Sequence, residues 1–395
     1  MKRLYLLIIL LVAFVSSLTR SSTEMKCDVR KPLMWDIGYL EEIRDSLKYQ
    51  KLRESIIQKA DTFLTREPID VTQKEASKIG VDAHSYYSIG IYWWPDEEDR
   101  TKPYVWKDGR INPEYKEYDY FKLMEIVDRC KNLSVAYFLT EDRKYYDKLL
   151  EQIEVWFLNP STNMTPNFEY AQVVPGYYDG NGRPEGISEA RFLIPVFESL
   201  LLVNHVNPID ESKMALIKEW CKELAVWLVS SEKGLKARLS KDNHVFMYDA
   251  LLVYLSAFSG HIELSEWVLS SFSDQLKSHI NDKGQYEKEL LRTQAYAYSI
   301  VCLTEIINVC LVEEKIGNNL FEGNKNIITP TIEYLAQFIG NKEKFPYTQI
   351  YDWHYYEQEL LYQIKRLNNL KGGERIYDSY RHYELSKCYK ELMLQ

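Results

Sequence analysis

Two short segments of this chain carry side chains whose types suit the removal of a proton next to a carboxylate. Asn243 and His244 supply an amide and an imidazole, and Arg292 and Tyr298 supply a fixed cation and a phenol further along the chain. The amide and the cation can hold an acid group while the ring nitrogen or the phenol moves a proton. All four residue types are common, so their value as evidence for this chemistry depends on the segments around them.

Two aromatic segments upstream of these residues are interpreted as walls of a sugar-binding cleft. Residues 81–118 and 158–186 are rich in Pro, Gly, Asn and Asp, which predicts long loops, and their aromatic content favours ordered ones. Aromatic rings stack on the apolar faces of sugars, and amides bond to hydroxyls. The candidate substrate-binding residues here are Tyr86, Tyr92, Trp93, Trp94, Tyr104, Asn167, Tyr170 and Gln172. The alternative is that the rings only anchor the loops to the rim of the fold.

Outside these loops, apolar residues recur every three to four positions, which is the period of amphipathic helices. The predicted helical stretches are 38–64, 119–139, 142–157, 187–205, 211–230, 244–258, 261–280, 294–312, 328–339, 352–367 and 376–392. Connections between residues 120 and 312 are mostly short, so consecutive helices should pack as antiparallel hairpins. The sequence therefore predicts an all-α fold, an α/α barrel or toroid with the aromatic loops over its cleft, or a helical solenoid.

Composition argues against several other classes of protein. The formal net charge is −9 with acids and bases interspersed, so nucleic acid is not an expected partner. An acidic polymer would instead need a locally basic cleft, for which the candidates are Arg183, Arg191, Arg238 and Arg292. No cysteine or histidine spacing matches a metal site, so neither a metal nor a cofactor is predicted. Cys221, Cys302 and Cys310 lie in apolar periodic stretches and are expected to be buried thiols.

The N-terminal residues have the pattern of a secretory signal peptide. Lys2 and Arg3 precede an apolar run at 4–15, followed by small and polar residues. The run is shorter than the roughly 18–20 residues needed to span a bilayer. We expect residues 1–22 to be a signal peptide and 23–395 to form one catalytic domain. The mature protein is then periplasmic or secreted, without stable membrane insertion, and the sequence specifies no oligomeric state.

Taken together, these segments resemble the alginate lyase family of polysaccharide lyases. Residues 86–114, which contain Tyr-Trp-Trp-Pro-Asp, are similar to the first block of that family, and residues 156–187, which contain Asn-Phe-Glu-Tyr-Ala-Gln, to the second. The pair at 243–244 resembles its Asn-His pair at a helix start. Residues 284–299 resemble its Glu-Leu-x-Arg block. The matches run in order across more than half of the chain.

The resemblance implies an α/α toroid and β-elimination on a uronic-acid polysaccharide. By position it gives catalytic roles to Asn243, His244, Arg292 and Tyr298. The chain departs from the family in carrying Asp-Asn-His-Val where members often have Asn-Asn-His-Gly. The spacing of the catalytic tyrosine from the arginine also varies among members. Tyr296 therefore remains a rival to Tyr298 and is kept as a candidate substrate-binding residue. No particular uronate polymer is implied.

In the mechanism that these residues suggest, Arg292 and the Asn243 amide neutralise the uronate carboxylate while His244 acts as base and Tyr298 protonates the leaving O4. The alternative is that Tyr298 takes the proton itself, which requires Arg292 to lower its pKa. One alternative is a glycoside hydrolase, which would need two carboxylates across the cleft. The acidic candidates for that role are Asp96, Glu169, Asp179 and Asp249. A non-catalytic glycan-binding surface protein is the other alternative, and a purely structural repeat protein would not need the aromatic loops.

Overall fold

The protein is described by a computed structural model over residues 29–74 and 80–383, so the predicted signal peptide at 1–22 lies outside the described residues. Most of the described chain is helical. The α-helices are α1 Ile37–Asp45, α2 Gln50–Leu64, α3 Asp119–Thr140, α4 Arg143–Ile153, α5 Ile187–Ala190, α6 Ile194–Val206, α7 Glu211–Ser230, α8 Glu232–Arg238, α9 His244–Ser259, α10 Glu266–Ser270, α11 Phe272–His279, α12 Ala295–Lys315, α13 Leu320–Ala336, α14 Trp353–Arg366 and α15 Glu374–Tyr380. The strands are β1 Tyr87–Ile89, β2 Trp93–Trp94, β3 Val105–Trp106 and β4 Tyr170–Val173.

Three helices form the centre of the fold because they are apolar on nearly every side. α6, α9 and α12 bury most of their residues, and in α9 every residue from Val245 to Phe258 is buried. Such helices must lie in the interior of a protein. α12 is also long and apolar enough to cross a membrane, yet 83% of its apolar window is buried inside the protein. α12 therefore lies in the core of the fold.

Amphipathic helices cover this centre from the outside. α2 and α4 pack on α3, α7 packs on α9, and α13 packs on α12. Each outer helix buries one stripe, which in α4 includes Tyr145, Leu149 and Ile153. Short connections join neighbouring helices, as at 141–142 and 316–319. This arrangement confirms the predicted all-α toroid of helical hairpins.

Two of the central helices, α9 and α12, begin at the same end of the fold as α3, on which α2 and α4 pack. α3, α9 and α12 start at Asp119, His244 and Ala295, directly after the segments that hold the candidate site residues. A contact between Tyr92 in the first loop and Tyr298 near the start of α12 ties these segments together. Because the N-terminal end of a helix carries partial positive charge, this end of the fold suits an anionic ligand.

The two aromatic loops are ordered, as predicted, because short strands and backbone hydrogen bonds fix them. β1 and β4 pair in parallel and join the first loop to the second, with Tyr87 opposite Tyr170. β2 and β3 form an antiparallel pair within the first loop, with Trp93 opposite Trp106. The first loop therefore doubles back on itself beside the second.

Three predicted helices are interrupted. The stretch at 38–64 breaks at Ser46, whose hydroxyl caps the following turn by accepting the Lys48 N–H. The stretch at 187–205 contains a short 3₁₀ turn, after which the chain continues as α6. Pro195 lies in the first turn of α6, where backbone N–H groups have no partner within the helix, so its missing N–H breaks no helical hydrogen bond. The stretch at 261–280 divides into a 3₁₀ turn, α10 and α11. Part of the last predicted helix, 384–392, lies outside the described residues.

The cysteines of the described chain behave as core residues. Cys130, Cys221, Cys302 and Cys310 are free and buried, which confirms the prediction for the last three. Burial raises the pKa of each thiol above its ordinary value, because the charged thiolate is disfavoured in an apolar surrounding.

Candidate active site

His244 is the first residue of α9, and the carboxylate of Asp242 fixes its ring. The His244 Nδ1 lies 2.7 Å from Asp242 Oδ1, which also accepts the His244 backbone N–H. Burial raises the pKa of Asp242, but hydrogen bonds from His244 and Ser240 outweigh it and hold the pKa below the usual value. The ionised carboxylate can only accept, so Nδ1 carries the proton. Nε2 is then left as the lone-pair nitrogen of the neutral imidazole.

Glu289 connects the Asn243–His244 pair with the segment that carries Arg292. Its Oε1 accepts the Asn243 backbone N–H at 2.8 Å, and its Oε2 lies 3.9 Å from Arg292 Nη1. Glu289 is 1% exposed, and burial raises its pKa. The side chain of Asn243 is also buried, and its Oδ1 has no hydrogen-bond partner among the described residues. This oxygen is an acceptor, so a carboxylate could be bound only by the N–H groups of the Asn243 amide.

Arg292 is paired with Asp108, a residue of the first loop. The guanidinium donates to Asp108 Oδ1 from Nη2 at 2.7 Å and from Nε at 3.2 Å, and Asp108 Oδ2 accepts two hydrogen bonds from Thr293. Gly109 permits this approach: its φ is +70°, and a Cβ there would lie 2.7 Å from Thr293 Oγ1. Burial lowers the pKa of Arg292, but Asp108 and other neighbours raise it further, so the side chain remains a cation.

Tyr298 lies between Arg292 and the first loop. The Arg292 guanidinium is 4.1 Å from the centre of the Tyr298 ring, and the Tyr298 hydroxyl is 3.0 Å from the Tyr92 hydroxyl. Burial and the neighbouring Tyr92 raise the pKa of Tyr298, which outweighs the opposite effect of Arg292. The phenol is therefore protonated at neutral pH and can act as a proton donor.

Two of the predicted substrate contacts are corrected by burial. Tyr296 is 0% exposed and stacks on Trp353 with ring centres 4.0 Å apart, so it is a core residue. Tyr86 is also 0% exposed, and its hydroxyl donates to Glu189 at 2.8 Å beneath the loops. Neither ring is available to a ligand. Tyr298 is two residues after Tyr296, so it projects from a different side of α12, as the helical period requires.

The other predicted substrate-binding residues keep partly exposed side chains on the two loops. They are Tyr92, Trp93, Trp94, Tyr104, Asn167, Tyr170 and Gln172. Some also fix the loops: Trp94 Nε1 donates to the Arg110 carbonyl, and the Tyr104 hydroxyl donates to Glu114. Their contact with a substrate stays a prediction.

The basic candidates divide into two groups. Arg238 is buried and paired with Asp249 at 2.9 Å, so the prediction of a cleft position for Arg238 is corrected. Arg183, whose guanidinium lies 5.5 Å from the centre of the Trp93 ring, and Arg191 are partly exposed on the loop side of the fold.

Three of the four acidic candidates for a hydrolase are occupied by other contacts, and the fourth is exposed. Asp249 is buried against Arg238, Glu169 pairs with Lys233, and Asp96 Oδ1 accepts backbone N–H groups of its own loop. Asp179 is exposed in a turn with φ of 50°. None of the four contacts His244 or Tyr298 in the described structure. Their placement does not favour the two-carboxylate mechanism.

Replacing Glu189 with Gln is expected to flatten the pH dependence of stability. Glu189 is buried, and burial raises its pKa to about 7 although the Ser88 and Tyr86 hydroxyls both donate to it. A carboxyl whose pKa is higher in the folded state binds its proton more tightly when folded. Wild-type stability should therefore fall as pH rises from 4.5 to about 7. Melting temperatures of both proteins across this interval test the expectation, and equal slopes would contradict it.

Comparison with known proteins agrees with this geometry. Residues 70–345 match the family described as Alginate lyase. Among solved structures, an alginate lyase from Bacteroides ovatus is 27% identical, with a TM-score of 0.83 over 92% of this chain and 99% of that chain. Alginate lyase A1-III from Sphingomonas species A1 is 16% identical, with a TM-score of 0.49 over 88% of this chain and 91% of that one. The search of curated proteins gave no match.

The α/α toroid and the match to alginate lyases show that the protein is a polysaccharide lyase. The chain belongs to the alginate lyase family, since the family match covers more than half of its length.

Sequence reasoning missed three residues of this site. Asp242 was visible as a carboxylate next to the Asn-His pair, and Glu289 belonged to a recognised block. Asp108 also stood in a recognised block, but its partner Arg292 is 184 residues away. No spacing rule reports a pairing over that distance.

Proposed function

We propose that this protein cleaves a uronic-acid polysaccharide of the alginate type by β-elimination. The observation that carries the proposal is that Glu289 and Arg292 link the segment of the Asp242-bound imidazole to the protonated phenol of Tyr298, in a member of the alginate lyase family. The Bacteroides ovatus protein, which is named an alginate lyase, supports extending the substrate class to this chain. The signal-like pattern at residues 1–22 supports the further proposal that the enzyme acts after export.

The reaction begins at C5 of the uronate ring. His244 Nε2 removes the C5 proton, and the electron pair left behind forms the C4=C5 double bond as the C4–O4 bond breaks. Tyr298 gives its proton to O4 of the departing sugar. The C5 proton is a weak acid because the neighbouring carboxylate is already negative. A hydrogen bond donated by the Asn243 side-chain N–H to that carboxylate, where negative charge develops, lowers this barrier.

The contact with Asp108 supports a different use of Arg292 from the one expected from the sequence. Because Nε and Nη2 of Arg292 already donate to Asp108, few of its N–H groups remain for a substrate carboxylate. The same guanidinium faces the ring of Tyr298. When Tyr298 gives up its proton, the cation stabilises the resulting phenolate. Arg292 thus supports the acid of the reaction, and Asn243 binds the carboxylate.

Incubating the purified protein with polymers of mannuronate, guluronate and glucuronate is expected to produce unsaturated uronyl ends on at least one of them. The new C4=C5 bond absorbs in the near ultraviolet, whereas hydrolysis leaves no such bond. Activity should survive a chelator, because no cluster of metal-binding side chains occurs in the described part of the chain. Saturated reducing ends without an absorbance gain on any polymer would support a hydrolase instead.

A further inference from the structure

The strand β4 carries a bulge at Gln172, where it pairs with β1. Two residues of β4, Ala171 and Gln172, lie opposite the single residue Ser88 of β1. The backbone of Gln172 has a φ of 53°, which is in the left-handed region. Glycine adopts that region without a steric cost, whereas any other side chain is strained there. Gln172 is therefore held in a conformation that a glycine would take more easily.

A buried hydrogen-bond network fixes this bulge. A bulge leaves its extra residue outside the strand pairing, and Ser88 Oγ accepts the Gln172 N–H at 2.8 Å. Ser88 Oγ in turn donates to Glu189 Oε2 at 2.6 Å, and the Tyr86 hydroxyl donates to the same oxygen at 2.8 Å. Ser88 is 0% exposed and Glu189 is 2% exposed, so water does not compete for these bonds.

The segment that follows β4 also packs on the bulge. The Ala171 carbonyl accepts the Arg183 N–H at 3.0 Å. A Cβ on Gly182 or Gly186 would lie 2.5 or 2.6 Å from the same carbonyl oxygen, so this segment lies directly against β4. Strained backbone persists only where the surrounding structure determines it, and it is concentrated at functional sites. Bulges likewise occur next to active sites, where they redirect a side chain.

Gln172 lies between the segments that carry the proposed acid and base. The carbonyl of its neighbour Val173 accepts the Gly90 N–H at 3.0 Å, two residues before Tyr92, whose hydroxyl contacts the proposed acid. The Gln172 Nε2 donates to Ser188 Oγ at 3.3 Å. Ser188 belongs to α5, which packs on α9, the helix that carries the proposed base at its first residue. The Gln172 side chain is partly exposed, so its amide is open to a ligand at this end of the fold.

We propose that the strained bulge, held by Ser88 and Glu189, directs the Gln172 amide toward a hydroxyl of the bound uronate polymer. The inference rests on the proposed function and makes it more specific, since it assigns a positioning network to one substrate contact. A neutral amide both donates and accepts hydrogen bonds, which suits a sugar hydroxyl. The strain lowers the stability of the empty enzyme, and the directed amide contributes affinity when the polymer binds. Ser88 and Glu189 are positioning residues, because they act through Gln172.

Four variants separate the amide, the strain and the network, each made in a His244→Ala parent so that the ligand is not cleaved during the measurement. Gln172→Met keeps the length of the side chain and the strained backbone but removes the amide. Gln172→Gly removes both the amide and the strain. Ser88→Ala removes the acceptor of the Gln172 N–H. Glu141→Gly is the matched control, because Glu141 has a φ of 56° at the C-terminal cap of α3, the end of that helix away from the site.

Binding is measured by calorimetry with saturated tetrasaccharides of mannuronate, guluronate and glucuronate, and melting temperature by thermal unfolding. For the best ligand, Gln172→Met should bind roughly 3- to 10-fold more weakly than the parent, the range expected for one hydrogen bond. Gln172→Gly should lose at least as much affinity while its melting temperature stays equal to or above that of the parent, because relief of strain offsets the added freedom of the unfolded chain. Glu141→Gly should show the same thermal effect with unchanged affinity.

Combining Ser88→Ala with Gln172→Met tests the positioning role. Ser88→Ala alone should weaken binding, but it should cause no further loss in the Gln172→Met background, because the amide that Ser88 positions is already absent. A merely structural role would not produce this dependence. An equal loss in both backgrounds would show that Ser88 does not act through Gln172 and would overturn the inference.

Unchanged affinity in Gln172→Met would overturn the inference, and so would a lowered melting temperature in Gln172→Gly, since the side chain would then stabilise the bulge itself. The absence of binding of all three tetrasaccharides to the parent would overturn it as well. If Ser88→Ala does not fold, Gln172→Met decides alone. The absorbance assay for unsaturated ends, with His244 in place, judges the proposed function separately: binding that depends on the Gln172 amide without elimination would overturn the lyase mechanism and leave the positioned contact standing.

Discussion

Replacing His244 with Ala is expected to lower kcat by roughly 10²- to 10⁴-fold while the protein stays folded, because a positioned general base contributes about that much. The side chain is 19% exposed and contributes little to the core. The loss should appear in kcat more than in KM, since the imidazole acts in the transition state. The measurement is the rate of absorbance gain on the best uronate polymer, with a melting curve for each protein.

His261 provides the matched control for this variant. Its Nδ1 lies 3.0 Å from a carboxylate oxygen of Glu263, which repeats the His244–Asp242 arrangement just beyond the opposite end of α9. His261→Ala should keep full activity. Asp242→Asn should lower kcat with the imidazole still present, because an amide no longer fixes the tautomer. Full activity of folded His244→Ala would remove the base from the proposed mechanism.

The second large effect is expected for Tyr298→Phe, which should lower kcat by roughly 10²- to 10⁴-fold through loss of the general acid. Tyr296→Phe is the comparison that the structure supplies. The Tyr296 hydroxyl has only a long contact, 3.4 Å, to the Leu335 carbonyl, so its removal should cost about 1 kcal/mol of stability or less and leave turnover unchanged. Kinetics and thermal unfolding of the two variants check both expectations.

The pH profile adds a further check on Tyr298. Because the pKa of Tyr298 is raised, its ionisation should not limit activity on the alkaline side of neutrality. If Tyr296→Phe lost activity and Tyr298→Phe kept it, the two assignments would have to be exchanged.

The fold was predictable from the sequence because its outer helices show a clear apolar period. α9 and α12 were also predicted as helices, although the structure buries them on all sides. The interruptions were harder to place, since a local cap at Ser46 and a proline at 195 divide stretches whose apolar period continues.

The sequence predicted which motifs form the candidate site, but it did not predict which of their side chains contact each other. Tyr86 and Tyr92 belong to the same aromatic segment, yet one is buried against Glu189 and the other reaches Tyr298. Which ring faces the cleft depends on the pairing of β1 with β4, and these strands are far apart in the chain. The Arg292–Asp108 contact depends in the same way on the path of the first loop.

The four buried cysteines of the described residues are shielded from thiol reagents in the folded protein. Cys130, Cys221, Cys302 and Cys310 are free, buried in the core and held with raised pKa values. A disulfide-forming reagent at neutral pH can reach them only when the helices around them separate, because the thiolate is the reactive form. The rate at which these four thiols become labelled would then report how often the toroid opens, without an engineered cysteine and under conditions where the enzyme is active.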